Sequence, residues 1–112
     1  MTDEALTPLE RALLEGFFEN YRAIGFPSPD QFQVVKRENT GAGRFVDVRV
    51  DRETQLKNEP LALDDRYVEV PNVPYGMTAV VFVDGHRPAL LEICVCGDFL
   101  WNGDEEGWQI IK

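Results

Sequence analysis

The residues best suited to chemistry cluster near the C-terminus. Gly97–Trp108 carries four acids, Asp98, Asp104, Glu105 and Glu106, and both tryptophans of the chain, Trp101 and Trp108. Aromatic anchors supply contact area in a recognition surface, and carboxylates steer a basic partner toward it. The composition points to partner binding through Trp101, Asp104, Glu105, Glu106 and Trp108. The competing structural reading is a turn built on Asn102-Gly103, with charges in water and tryptophans in the core. Solvent exposure of Trp101, or of the Asp104–Glu106 run, separates the two. The carboxylates do not alternate as a calcium loop requires.

Other candidates are sparser. Thr40, Gly41, Gly43 and Arg44 form an anion-nest pattern, in which amides, a hydroxyl and a guanidinium converge on a phosphate or carboxylate. No helix N-terminus follows this G-x-G, and an ordinary hairpin loop explains it more simply. His86 is the only histidine, in a turn between Asp84 and Arg87 with no visible nucleophile. Glu92 interrupts an apolar strand, where a charge is costly unless paired or wet. It either lines a cleft or pairs with an arginine such as Arg49. A polar pocket near Glu92, Arg49 or His86 is the enzyme or small-ligand alternative. No nucleophile elbow, zinc-protease motif or phosphate loop occurs, so no catalytic residue and no cofactor is assigned. Cys94 and Cys96, two apart on a strand, would share a face about 6.5–7 Å apart. That is long for a disulfide, and a zinc site lacks further soft ligands. They read as reduced, buried structural thiols, and no metal is expected.

These residues need elements to hold them. Thr7-Pro8-Leu9-Glu10 combines a hydroxyl N-cap, proline at N1 and glutamate at N3, a strong helix start. Leu9, Leu13, Leu14, Phe17, Phe18 and Tyr21 then form one apolar stripe, and Gly25 is a natural stop. Ser28-Pro29-Asp30-Gln31 repeats the cap signal and predicts one helical turn before a strand. Strands follow at Val34–Glu38 and Arg44–Asp51 around a glycine loop. Val46, Val48 and Val50 face one way, and Phe45, Asp47 and Arg49 the other. Residues 52–66 read as a polar surface loop. Tyr67–Val70, closed by Pro71, reads as an edge strand able to pair with a second copy. Thr78–Val83 and Pro88–Cys96 form a hairpin of central strands, and Trp108–Ile111 ends the chain. The expected fold is α+β: one domain over residues 1–112, with the N-terminal helix on a mostly antiparallel sheet of about five strands.

Size and charge bound the function. The chain has 112 residues, 20 acids and 11 bases, for a net charge of −9. That length suffices for one self-folding domain. The acidity argues against nucleic acid, which needs a basic face. No apolar run spans a bilayer, and the acidic start lacks the apolar region of a signal peptide, so a cytoplasmic location is expected. The charge is uneven. Residues 1–32 and 67–112 are acidic. Residues 33–66 balance seven acids with Lys36, Arg37, Arg44, Arg49, Arg52, Lys57 and Arg66, which read as a solvated face. A basic protein partner would meet the acidic ends, and a second copy could dock its arginine-rich middle there.

Several segments together carry a resemblance. LTPLERALL (Leu6–Leu14), GFPSPDQF (Gly25–Phe32), the Arg37–Val48 stretch ending in GRFVDV, the VDG turn, the LLEI strand and the Gly-Asp…Trp tail resemble a group of small bacterial domains of unknown function. The LEI strand followed by an acidic, tryptophan-containing turn is similar to immunity proteins that neutralise toxins. The resemblance implies a fold and a protein-binding role, and transfers no active-site residue.

Overall fold

The computed structural model describes residues 5–112, so Asp3 and Glu4 of the acidic N-terminus lie outside the described residues. Helix α1 runs Pro8–Tyr21 and begins with a full capping box. The Glu10 amide donates to Thr7 Oγ1 at 3.1 Å, and the Thr7 amide donates to Glu10 Oε1 at 3.0 Å. Thr7→Ala should therefore cost about 1 kcal/mol, read as a lower denaturation midpoint; an unchanged midpoint would show that the hydroxyl contributes nothing. After α1 a 3₁₀ turn, Arg22–Ile24, closes on Gly25 in the left-handed conformation at φ 98°. The second start signal yields a 3₁₀ turn, Pro29–Gln31, without the expected Ser28 side-chain cap. The Gln31 amide instead bonds the Ser28 carbonyl at 3.0 Å, so the hydroxyl has no free N3 donor to serve.

Seven strands follow: β1 Phe32–Asn39, β2 Gly43–Val50, β3 Leu61–Ala62, β4 Tyr67–Glu69, β5 Met77–Asp84, β6 Arg87–Val95 and β7 Gln109–Ile111. They form one antiparallel sheet in the order β1-β2-β6-β5-β4-β7, with β3 also on β5. The α+β architecture matches the expectation, with seven strands in place of about five. One strand, β3, is not expected from the sequence, and one expected edge strand, β4, lies inside the sheet. The segment read as a polar loop buries Leu56, Leu61 and Leu63, and Leu61 and Ala62 pair with Val81 and Val80. Its polar residues had masked three leucines spaced for burial. Tyr67–Val70 is also not an edge, because β7 covers its outer side through Tyr67↔Ile111, Val68↔Ile110 and Glu69↔Gln109. Its backbone groups are thus engaged on both sides, which removes it as the strand for self-association. Strand β1 is the long edge, and an irregularity between Val34 and Lys36 leaves Val35 unpaired, sets Lys36 opposite Asp47 on the outer face and brings Arg37 opposite Val46 on the core side.

The layers follow from alternation. Leu9, Leu13, Leu14 and Phe17 of α1 share one core with Val34, Val46, Val48, Val50, Ala79, Val81, Leu91 and Ile93. Phe45, Asp47 and Arg49 are exposed on the opposite face, as the alternation predicts. Cys94 and Cys96 share that open face, so Cys94 is exposed and Cys96 partly exposed, both free thiols. The expectation that they are buried fails because the helix covers only the other face. Burial pushes the Cys94 thiol up, and the nearby Glu92 charge adds to this. The central hairpin turns through Gly85 and His86 at φ 61° and 60°, a two-residue turn whose twist suits antiparallel strands. Among the described residues no helix is long and apolar enough to cross a membrane.

The arginine-rich middle is not simply a solvated face. Arg37, Arg44 and Arg66 turn inward to carboxylates, and Arg49 meets Asp51 at 3.4 Å. Arg66 bonds Glu19 on the last turn of α1 and Asp65 beside it, each at 2.9 Å. The Arg66 hydrogen bond holds the Asp65 carboxyl down at about 2. Lys36, Arg52 and Lys57 stay exposed on this part of the surface, with no ion pair among the described residues.

Candidate functional site

The site is built on a buried ionic cluster. Glu10 is fully buried at the first turn of α1, and Arg44 on β2 is 4% exposed. Arg37 on β1 grips Glu10 with two bonds, Nε to Oε2 at 2.7 Å and a terminal nitrogen to Oε1 at 2.6 Å. Arg44 donates to Glu10 Oε2 at 3.0 Å, to Asn39 Oδ1 at 2.7 Å and to the Gly103 carbonyl at 3.0 Å, and it also bonds Glu105. Its guanidinium lies 4.7 Å from the Trp101 ring centroid, a cation–π contact. The cluster therefore ties the helix start, the β1–β2 hairpin and the C-terminal loop to one another. Burial pushes the Glu10 carboxyl up, but hydrogen bonds from Arg37 and Thr7 and the charges of Arg37 and Arg44 outweigh it. Its pKa is held below the ordinary 4.5.

The C-terminal loop is shaped by its own side chains. Trp101 donates its amide to the Gly41 carbonyl at 2.9 Å and its indole N–H to the Asp104 carbonyl at 2.8 Å. Asn102 Oδ1 accepts the Asp104 amide, and Asp104 Oδ1 accepts the Glu106 amide, both at 2.9 Å. These are turns in which a short polar side chain replaces a backbone acceptor. They leave Asp104 and Glu106 exposed on one rim. Opposite that rim stands Pro71-Asn72-Val73, with Asn72 in the left-handed region at φ 72°. Between them lies a cleft of about 600 Å³, lined chiefly by Pro71, Val73, Leu100, Trp101, Asp104 and Glu106.

The predicted partner-binding residues thus converge only in part. Asp104 and Glu106 are exposed, as the binding reading expects, and among the described residues neither is in an ion pair. Trp101 departs from an exposed anchor: it is 3% exposed, held between the Gly41 loop and Arg44, and presents only a margin to the cleft. Glu105 is drawn inward by Arg44, and Trp108 is half-buried against the core. The anion nest is also corrected. Arg44 already faces two carboxylates, and the Thr40 amide and hydroxyl both point to the Gly43 carbonyl, at 3.0 and 3.4 Å. A phosphate there would meet a neutralised cation.

The polar pocket expected near Glu92, Arg49 or His86 is not among the four clefts described, none of which is lined by any of the three. Glu92 lies between Phe45 and Val80 on the open face. Arg49 is four residues further along β2 from Phe45, about 13 Å by strand rise, and it bonds Gln33. His86 is six residues from Glu92, about 20 Å along β6. Its ring Nδ1 sits 2.9 Å from the Leu56 carbonyl, its amide bonds Asn58, and its carbonyl accepts from Thr54. His86 is a staple for the 52–60 segment. Among the described residues no three His, Cys, Asp or Glu side chains gather to hold a metal ion.

Three features of the site escape the sequence reading. Glu10 reads only as a capping residue, because its long-range partners leave no mark in local spacing. The wall at residues 71–73 was read only as a strand terminator; its Pro-Asn-Val-Pro run was the available signal. Leu100, Phe99 and Tyr75 are exposed beside the cleft, and none had been singled out. Comparison with protein-family models, curated proteins and solved structures finds no match for this chain.

Proposed function

We propose that the chain is a protein-interaction module that receives a basic partner segment in the cleft between the C-terminal loop and residues 71–73. One observation carries the reading: a concave site with apolar walls, Val73, Pro71 and Leu100, is rimmed by the exposed carboxylates of Asp104 and Glu106. Apolar walls accommodate the alkyl stem of lysine or arginine while carboxylates meet its charged head. An immunity-like role, covering a basic surface of a toxin, is one form such binding takes. The two free thiols support a reducing, cytoplasmic setting.

A peptide of Arg-Ser-Ser-Ser repeats tests the reading. It should bind the intact chain, and binding should weaken as salt rises. The double substitution Asp104→Asn, Glu106→Gln should lower affinity about five- to tenfold. Glu105→Gln should leave affinity unchanged, since that carboxylate faces Arg44. Equal binding by wild type and the double variant in a calorimetric titration would sink the proposal.

A further inference from the structure

The cleft does not end at its acidic rim. Leu100, one of its walls, is 81% exposed, far more than a leucine with a purely structural role requires. Beside it in the chain is Phe99, whose ring meets Tyr75 edge-on at 5.5 Å. Tyr75 is 68% exposed, and Phe99 is also open to solvent. Gly97 permits this arrangement: a Cβ there would approach the Tyr75 ring at 3.1 Å and the Phe99 ring at 3.4 Å, and the backbone is left-handed at φ 86°. The chain thus holds an apolar ridge, Leu100-Phe99-Tyr75, continuous with the acidic cleft. Asp98 stands exposed on the same loop, adding negative charge.

From this juxtaposition we infer that the partner is a mixed segment, in which a basic side chain fills the cleft and an apolar side chain two positions away lies on the Leu100-Phe99-Tyr75 ridge. The inference rests on the proposed cleft function and adds the partner's pattern. In an extended segment, side chains two apart project on the same side about 6.5–7 Å apart. Leu100 belongs to both cleft and ridge, so that step reaches from one to the other. A uniformly basic segment would leave the ridge in water, and a uniformly apolar one would leave the carboxylates unanswered. An exposed apolar patch with a charged border is the composition expected of a contact surface.

Two peptides of equal charge separate the inference from the reading beneath it: repeats of Arg-Ser-Leu-Ser and of Arg-Ser-Ser-Ser, titrated into the intact chain. The leucine peptide should bind about tenfold more tightly, the worth of one well-buried apolar side chain. The variant Tyr75→Ser, outside the cleft, should erase that advantage and leave the serine peptide's affinity unchanged. The Tyr75 side chain is highly exposed, so this variant should retain the wild-type melting profile. Equal binding of the two peptides to wild type, or an advantage that survives in the variant, overturns the mixed-segment inference while acid-dependent binding stands. Failure of both peptides to bind overturns both proposals. Concentration-dependent dimerisation of the free chain that is lost in the ridge variant would assign the ridge to a second copy and overturn the inference.

Discussion

Glu10→Gln is expected to lower stability by about 3–5 kcal/mol, the usual cost of removing one partner from a buried charge group. The carboxylate is fully buried and serves Arg37, Arg44 and the Thr7 amide together. Glutamine keeps the size and one acceptor oxygen, but leaves two guanidiniums with less compensation in a low-dielectric setting. Urea denaturation of Glu10→Gln, Arg44→Met and the double variant measures the effect. The double variant should cost clearly less than the two single losses added together, because the Glu10–Arg44 bond is then lost once and not counted twice, while Arg37 and Glu105 each still lose one partner. Strict additivity would show that the guanidiniums reach water in the variant.

The same residue sets a pH dependence with a definite sign. Its folded-state pKa lies below the ordinary 4.5 because Arg37, Thr7 and Arg44 outweigh the burial that opposes them. A depressed carboxyl contributes stability that is complete above the unfolded value and is lost as pH falls through the folded one. Wild type should therefore lose stability on acidification below about pH 4.5, and Glu10→Gln should lose less over the same interval. Parallel stability curves for the two proteins from neutral pH into acid would remove Glu10 as the source.

The distinction between local and distant signals explains what could be read from sequence. The Thr7 cap, the helix stripe, the valine alternation in β2 and the β5–β6 hairpin are patterns within a few residues, and each appears where expected. The errors are long-range. Strand β4 reads as an edge because Pro71 ends it, but its second neighbour comes from residues 40 to 44 positions later. Arg44 was assigned to an anion loop because glycines precede it, yet its partners are Glu10 and Glu105. Trp101 and the neighbouring acids were correctly placed in one loop. What escaped was which of them turn inward: Glu105 and Asp104 have the same composition-level signal, and only Arg44 separates their fates. The cleft itself required the fold, since residues 71–73 and 100–106 meet only when β4 and β7 pair.

Gly43→Ala is expected to be the most damaging single methyl group. A Cβ at Gly43 would fall 1.9 Å from the Ile93 carbonyl oxygen and 3.1 Å from Cys94 Cα, both backbone atoms that no rotamer change can move. The β2–β6 ladder would have to part at the Gly43↔Cys94 pair. Losses above about 4 kcal/mol belong to this class of clash, and they approach the whole stability of a small domain. Gly85→Ala is the matched control. Nothing lies within 4 Å of a Cβ there, so its backbone at φ +61° bears only conformational strain, about 1–2 kcal/mol. The consequence of Gly43→Ala reaches the site. Ala42 accepts from Val95, and Gly41 accepts from Trp101, each at 2.9 Å, so the loop beside Gly43 holds the cleft's tryptophan in place. If the clash is real, melting should fall much further for Gly43→Ala than for Gly85→Ala, and tryptophan fluorescence should change before global unfolding. Equal melting temperatures for the two variants would mean that the strands absorb the methyl by sliding. In that case Trp101 would be held mainly by Arg44 and the Asp104 carbonyl, and the floor of the cleft would depend less on the sheet.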